Sequence, residues 1–355
     1  MLVRVKKRRA IGLRSKRRRK TLGSKKRINK RLKSRTVTIE NPTYDNAYDN
    51  GHTEGYRKGY ETGLQKGGEG AFVTKEQDSI YQAGYKKGLE VGKYDGGDAI
   101  IDRLLPGQHI LPDTSTEQII ASGIAALEHR FVSLLSVDQV GERILQALEK
   151  RSPLSIVRLG DGELLALAQE TVMSIDQVRQ EGEFLAYAGI HVPDLAVRDR
   201  LLEAVKRAGI VGIPVLRQRN YQPLAAAVFQ AYGIDFRERE YTDSLVNYSL
   251  FKTGYLQHMM QGRRVLVIGN LAERLAAVLS AQGVAVAGVI SPVHGTHDAD
   301  RVTMLAQQFD FELALVSAGI SAVLITEEIA RVMGKVALDF GHMADSLIKG
   351  EANLN

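Results

Sequence analysis

From residue 154 to residue 341 the chain alternates between two textures. Short apolar runs end on glycine or a polar residue: LSIVRLG (154–160), IVGIPVL (210–216), RRVLVIGN (263–270), VAVAGVISP (284–292), FELALVSAG (311–319) and KVALDFG (335–341). Between them lie amphipathic stretches: VRDRLLEAVKRAG (197–209), QPLAAAVFQAYG (222–233), LAERLAAVLSAQG (271–283) and SAVLITEEIARVMG (321–334). A strand that is apolar throughout must be covered on both faces, and helices between successive strands provide that cover. The pattern predicts an α/β fold with a Rossmann-like, doubly wound, mainly parallel sheet. In such sheets ligands lie at the carboxyl ends of the strands.

The rest of the composition narrows the chemistry. At 355 residues with no cysteine, the chain has ample length for a core and has no disulfide, thiolate metal site or thiol nucleophile. No run of about 18 apolar residues is present and no apolar segment follows the basic start, so a cytoplasmic protein is expected. Residues 1–35 hold 18 of the 48 Lys and Arg and no acid, leaving 30 basic against 41 acidic groups, a net −11, on the other 320 residues. An acidic body therefore carries a cationic tail. The tail, residues 1–40, is expected to be disordered in isolation and to dock onto a polyanion: nucleic acid, an anionic membrane surface or another anionic polymer. No stacking aromatics are interleaved with its charges, which argues against sequence-specific nucleic-acid recognition.

A repeat follows, in a segment read as residues 41–111. YRKGYETGLQKG (56–67) and YQAGYKKGLEVG (81–92) match at Tyr, Gly, Tyr, Gly, Leu and Gly. Glycines recur every four residues at 51, 55, 59, 63 and 67, and again at 84, 88, 92 and 96. Small residues at this step form a stripe on which two helices can approach closely. At roughly 1 kcal/mol per glycine relative to alanine, an isolated helix is implausible. Two readings remain: a helix that forms on self-association through residues 44–97, giving a homo-oligomer, or a flexible spacer.

The globular domain is read as residues 112–355. Thr114 with Glu117, and Ser136 with Gln139, have the spacing of capping boxes ahead of apolar helical faces. The residues after each strand are the candidate site. They are Arg158, Gly160, Asp161 and Glu163; Gly269 and Asn270; His294, His297, Asp298, Asp300 and Arg301; Ser317 and Gly319; and Asp339, His342 and Asp345. Polar and glycine residues on one rim suit a phosphate-bearing ligand. Asp161 and Glu163 are hard oxygen donors suited to Mg²⁺ or Mn²⁺, and Arg158 could add a fixed positive charge, although Asp-Gly-Glu is also good turn chemistry. In HGTHDAD (294–300) a second metal reading competes with a polar loop capping a helix that starts near Asp300. VIGN (267–270) holds one glycine, so the dinucleotide fingerprint fails, and no Gly-x-Ser-x-Gly elbow is present. His342 reads equally as a functional or a structural histidine.

IVRLGDGE (156–163) resembles the Arg-apolar-Gly-Asp-Gly-Glu signature of GT-D type glycosyltransferases. LALVSAGISAVLITEEIARVMGKVALDFGHMAD (313–345) resembles their late strand–helix–strand, which closes on an Asp-apolar-Gly-His element. The likeness spans roughly residues 125–348 and departs from the pattern at VSAG (316–319), where members tend to carry a Gly-Pro turn. It implies a Rossmann-like domain that transfers a sugar from a UDP-sugar with a divalent metal, Asp161 and Glu163 forming the metal–diphosphate pair. Asp339 and His342 would be rim residues.

The resulting expectation is a metal-dependent glycosyltransferase, using Mn²⁺ or Mg²⁺, that moves a sugar from a nucleotide-sugar donor to a hydroxyl on a glycan or glycoprotein. Arg158, Gly160, Gly269, Asn270, Ser317, Gly319 and Asp339 would line the nucleotide site. If the reaction inverts, His342, Asp298 and Asp300 are candidates for the base that takes the acceptor proton. The rival expectation is a non-catalytic assembly protein that works through the basic tail and the Gly/Tyr repeat.

Overall fold

The computed structural model describes residues 94–354. The tail 1–40 and all but the end of the repeat 44–97 lie outside the described residues. The chain separates into two units at Thr116/Glu117. The described part of the first holds a π-helical turn, Tyr94–Asp98, and the helix Ala99–Leu104, which buries none of its side chains. No described helix is long and apolar enough to cross a membrane.

The second unit is built on seven parallel strands: β1 (Leu154–Arg158), β2 (Ile210–Ile213), β3 (Tyr241–Asp243), β4 (Arg264–Gly269), β5 (Ala285–Ile290), β6 (Leu313–Ser317) and β7 (Val336–Asp339). Their spatial order is β3-β2-β1-β7-β6-β4-β5. Successive side chains of a strand point to opposite faces, and two cores result. Val157, Leu266, Ile268, Val316 and Ala337 join one core, while Ile156, Val265, Val267, Leu315 and Leu338 join the other. Each fully buried aliphatic side chain contributes about 1.5–3 kcal/mol.

Helices Asp161–Ala168, Leu195–Arg207, Gln222–Ala231, Ala299–Ala306 and Ser321–Met333 cover the first face. Helices Val137–Lys150, Val246–Lys252, Tyr255–Met260, Ala272–Ala281 and Met343–Ile348 cover the second. The handedness of parallel crossovers explains this division. Connections that step towards β3 (β1 to β2, β2 to β3, β5 to β6, β6 to β7) all use the first face. Those that step towards β5 (β3 to β4, β4 to β5) use the second. The helices after β4 and β6 thus leave on opposite sides, and the winding reverses between these neighbours.

Local signals set the helix ends. Ser136 and Gln139 form the expected capping box, each side chain bonding the other's backbone N–H at 3.2 and 2.9 Å. The preceding helix begins at Thr116, so its cap position falls on Ser115 and not on Thr114. That helix, Thr116–Ala126, buries none of its side chains. Gly141 in helix Val137–Lys150 is pressed against the Tyr255 ring, which any Cβ there would overlap. Gly141→Val should lower stability by about 1–3 kcal/mol through overpacking. The check is urea unfolding, in which the midpoint falls and the slope is unchanged.

Candidate active site

The carboxyl ends of β1 and β7 are joined by an ion pair that fixes the centre of the rim. Arg158 closes β1 and Asp339 closes β7, and the two strands pair directly. The Arg158 guanidinium donates to the Asp339 Oδ1 at 2.9 Å and to its main-chain carbonyl at 3.0 Å. Nη1 donates to the carbonyl of Ser244, just past β3, at 3.1 Å. The Arg158 backbone N–H reaches the second oxygen of Asp339 at 3.2 Å. Both side chains are largely shielded from solvent. The guanidinium lies so close over Gly341 that a side chain there would overlap it, and Gly341 adopts φ +51, which glycine tolerates best.

Beyond β1 the chain enters helix Asp161–Ala168 after Gly160, placing both motif carboxylates in its first turn. The partial positive charge of a helix N-terminus favours anions there. Residues two apart on a helix do not face each other, so the spacing alone does not aim the two carboxylates at one point. Glu163 folds back to accept the Gly160 N–H at 2.8 Å, and Asp161 accepts the Gly162 N–H at 2.9 Å. Glu163 is pressed chiefly by burial, and next by the Asp339 charge, which raise its pKa from 4.5 to about 7. Hydrogen bonds from Gly160 and its own backbone, and the charge of Arg158, oppose the rise. Burial also raises Asp339, against the pull of Arg158. Arg158, Glu163 and Asp339 therefore form one electrostatic cluster, and Asp161 stands in the same helical turn as Glu163.

The other strand ends form separate groups. Gly269 ends β4 with φ +143, and a Cβ there would overlap the Ser317 carbonyl at the end of β6. Only glycine lets these two strand ends close up. The Ser317 hydroxyl and the Ser321 hydroxyl, at the start of helix Ser321–Met333, are buried with no hydrogen-bond partner. Asn270 Oδ1 accepts the Val293 N–H at 2.8 Å, tying the end of β4 to the loop after β5. Gly319 lies against the Ala188 carbonyl.

The histidine loop is organised by Asp298. Its carboxylate accepts the His294 N–H at 2.9 Å and holds Arg301 at 2.6 and 2.7 Å. The hydrogen bond from Arg301 holds its pKa below the usual carboxylate range. His297 meets Asp194 at 2.6 Å, and Asp300 pairs with Arg200. Helix Ala299–Ala306 follows with Asp298 at its N-cap, but the Asp298 side chain makes no capping hydrogen bond, so the loop is a polar, internally paired lead-in to the helix and not the cap that HGTHDAD allowed. No group of three or more His, Cys, Asp or Glu able to hold a metal occurs among the described residues. His342 is exposed at the start of helix Met343–Ile348, directly after Gly341.

A family model described as the GT-D fold-like domain matches residues 135–347. The chain belongs to that family. Among solved structures, "A New Glycosyltransferase (DUF1792) from Streptococcus sanguinis" is 16% identical, with a TM-score of 0.45 over 63% of this chain and 87% of that one. "The highly conserved domain of unknown function 1792 has a distinct glycosyltransferase fold" is 14% identical, with a TM-score of 0.42 over 62% and 83% of the two chains. None of the curated proteins compared matches the chain.

The GT-D-like domain can be tested for a divalent ion from its donor set. Mg²⁺ keeps most of its waters and needs only one or two carboxylates beside a substrate's phosphates, so the absence of a closed cage is no obstacle. Asp161 and Glu163 fit that partial role. Three parts of the GT-D-like site escaped sequence reasoning. Gly341 had a signal, the glycine after a buried strand in DFGH. Gly162 lay inside the quoted motif, where Phe184 and Ile320 flank it. Ser244 had none, because it contributes a main-chain carbonyl.

Arg158→Met should cost about 3–5 kcal/mol, because Asp339 is left buried and unpaired. The double variant Arg158→Met/Asp339→Leu should recover part of that loss in urea unfolding. Glu163 supplies a pH test. A folded pKa near 7 against 4.5 means that the native chain binds more protons than the unfolded one between these values. Its contribution to stability therefore falls as pH rises through that window. Urea unfolding in EDTA at pH 5 and pH 8 should show a smaller decline for Glu163→Gln than for wild type.

Proposed function

We propose that the GT-D-like domain is a metal-dependent glycosyltransferase that takes a UDP-sugar as donor and a hydroxyl of a glycan or glycoprotein as acceptor. The observation that carries this reading is the Glu163–Asp339 pair. Two carboxylates are brought together in a shielded place, at the strand ends where such sheets hold ligands. Asp339 already has Arg158 as its cation, which leaves Glu163 as the carboxylate that a further cation would stabilise.

Asp161 and Glu163 would hold Mn²⁺ or Mg²⁺. The ion supplies charge neutralisation for the diphosphate as the bond to the sugar breaks. Arg158 pairs with Asp339 and fixes the ends of β1, β7 and the turn after β3 in one geometry. Preorganised groups of this kind need no rearrangement as charge develops. In the reaction the acceptor oxygen bonds to the anomeric carbon, the bond from that carbon to UDP breaks, and the hydroxyl proton leaves to a base. His342 is the candidate that suits this role. It is exposed at the rim next to Gly341, whereas Asp298 is held by Arg301 and Asp300 by Arg200.

Calorimetric titration of UDP into the full chain, with and without Mn²⁺, tests the reading. Binding is expected to require the metal and to fall at least tenfold in Asp161→Asn and Glu163→Gln, each losing about 1.4 kcal/mol or more. A wild-type chain that binds no UDP with Mn²⁺ present would turn attention to the basic tail and the Gly/Tyr repeat as the working parts.

A further inference from the structure

Only four residues separate the buried Leu185 from the buried Ile190, and one of them, Tyr187, is 97% exposed. It is the most exposed large apolar side chain among the described residues. A surface tyrosine is ordinary by itself. What sets this one apart is the backbone that carries it.

The segment 184–190 crosses the strand-end rim and is pinned to it at three places. At one end Phe184 lies against Gly162, between the two motif carboxylates, its Cε2 3.4 Å from where a Cβ would stand. In the middle the Ala188 carbonyl packs on Gly319, in the turn after β6, within 2.9 Å of where a Cβ would stand. At the other end Gly189 meets Gly295, in the loop after β5, backbone to backbone. The Gly189 carbonyl there accepts both the N–H and the hydroxyl of Thr296 at 3.0 Å. A side chain at Gly189, Gly295 or Gly319 would overlap the opposing backbone and push the strap off the rim, whereas at Gly162 the contact with Phe184 is ordinary packing. The strap thus joins the carboxylate motif to the strand ends beside the reversal of winding, and it holds a phenol ring in water.

We propose that Tyr187 is the residue on which the nucleobase of the donor stacks, the diphosphate extending from it towards Asp161 and Glu163. This rests on the nucleotide-sugar reading above. Aromatic stacking suits a flat heterocycle, and a strap already ordered by three contacts gives up little freedom on binding. Location favours the base over the acceptor. The strap touches the turns after β5 and β6 and also Gly162 after β1, so it spans from the β4–β6 pair to the β1–β7 pair, at both of which the following helices leave on opposite faces and such sheets open to ligands. The exposed Val215, Leu216 and Leu245 follow β2 and β3 on the opposite half of the rim, which leaves that half to the acceptor.

The test is calorimetry on the full chain with Mn²⁺, using UDP and inorganic pyrophosphate as separate probes. Tyr187→Ala is expected to weaken UDP about 5- to 150-fold, the range that one stacked base supplies, and to leave pyrophosphate unchanged. Tyr187→Phe should bind UDP as wild type does. Because the side chain is exposed, the Tm of Tyr187→Ala should match wild type, which separates lost stacking from lost folding. Equal weakening of UDP and pyrophosphate would overturn the proposal, since the effect would then lie at the phosphates. Unchanged UDP binding would overturn it outright while leaving the nucleotide-sugar reading intact. A wild-type chain that binds pyrophosphate but no UDP would overturn both.

Discussion

The Arg158 guanidinium holds three chain segments in one place: the end of β1, the end of β7 and the turn after β3. Its donors are used on Asp339 and the Ser244 carbonyl, so it is a brace between strand ends more than a free cation awaiting a phosphate. An exposed pair of this kind would contribute little, but this one is largely shielded, and removing either partner leaves a charge without water or counterion. Gly341 is part of the same brace, since only a residue without a side chain lets the guanidinium lie flat on the backbone. The last strand and the first are thus locked together at the end where the candidate site lies.

That lock has an electrostatic consequence. Asp339 is satisfied by Arg158, yet its charge still bears on Glu163, which has no cation of its own and leans on the Gly160 N–H. The first turn of helix Asp161–Ala168 offers partial positive charge, but a helix end supplies only about half a unit. Glu163 therefore carries the least compensated charge of the cluster when it ionises. A divalent ion with an anionic ligand would relieve it, while the histidine loop is already balanced internally by Asp298 and Arg301.

Much of the fold was legible because burial on both faces leaves a plain trace. Ile156 and Val157 belong to different cores, as do Val267 and Ile268, so apolar residues follow one another through these strands, and the buried Ser155 inside β1 is satisfied by the Gly209 N–H at 3.0 Å. The Ser136–Gln139 cap was equally readable, because its partners are three residues apart. Thr114 misled by one residue, since Ser115 offers the same chemistry at the next position. At the site, Asp161, Glu163 and Asp339 stood out as acids after apolar runs. Their relations did not stand out: Asp-x-Glu read as a strand-end pair, but helix formation turned Glu163 towards Gly160 and the Asp339 charge.

The sequence by itself determined the succession of parallel strands and covering helices, because periodicity and apolar run length are local properties. It also placed the polar residues at strand ends, and hence on one rim. Only the tertiary structure decided which ends became neighbours. Arg158 and Asp339 lie 181 positions apart and meet because the chain returns β7 to the flank of β1. The strap bearing Tyr187 is likewise defined by glycines at 162, 295 and 319 that share no local pattern. The physical reason is the same in each case. Strand order and close backbone approach arise from packing among distant segments, and residue spacing along the chain does not encode them.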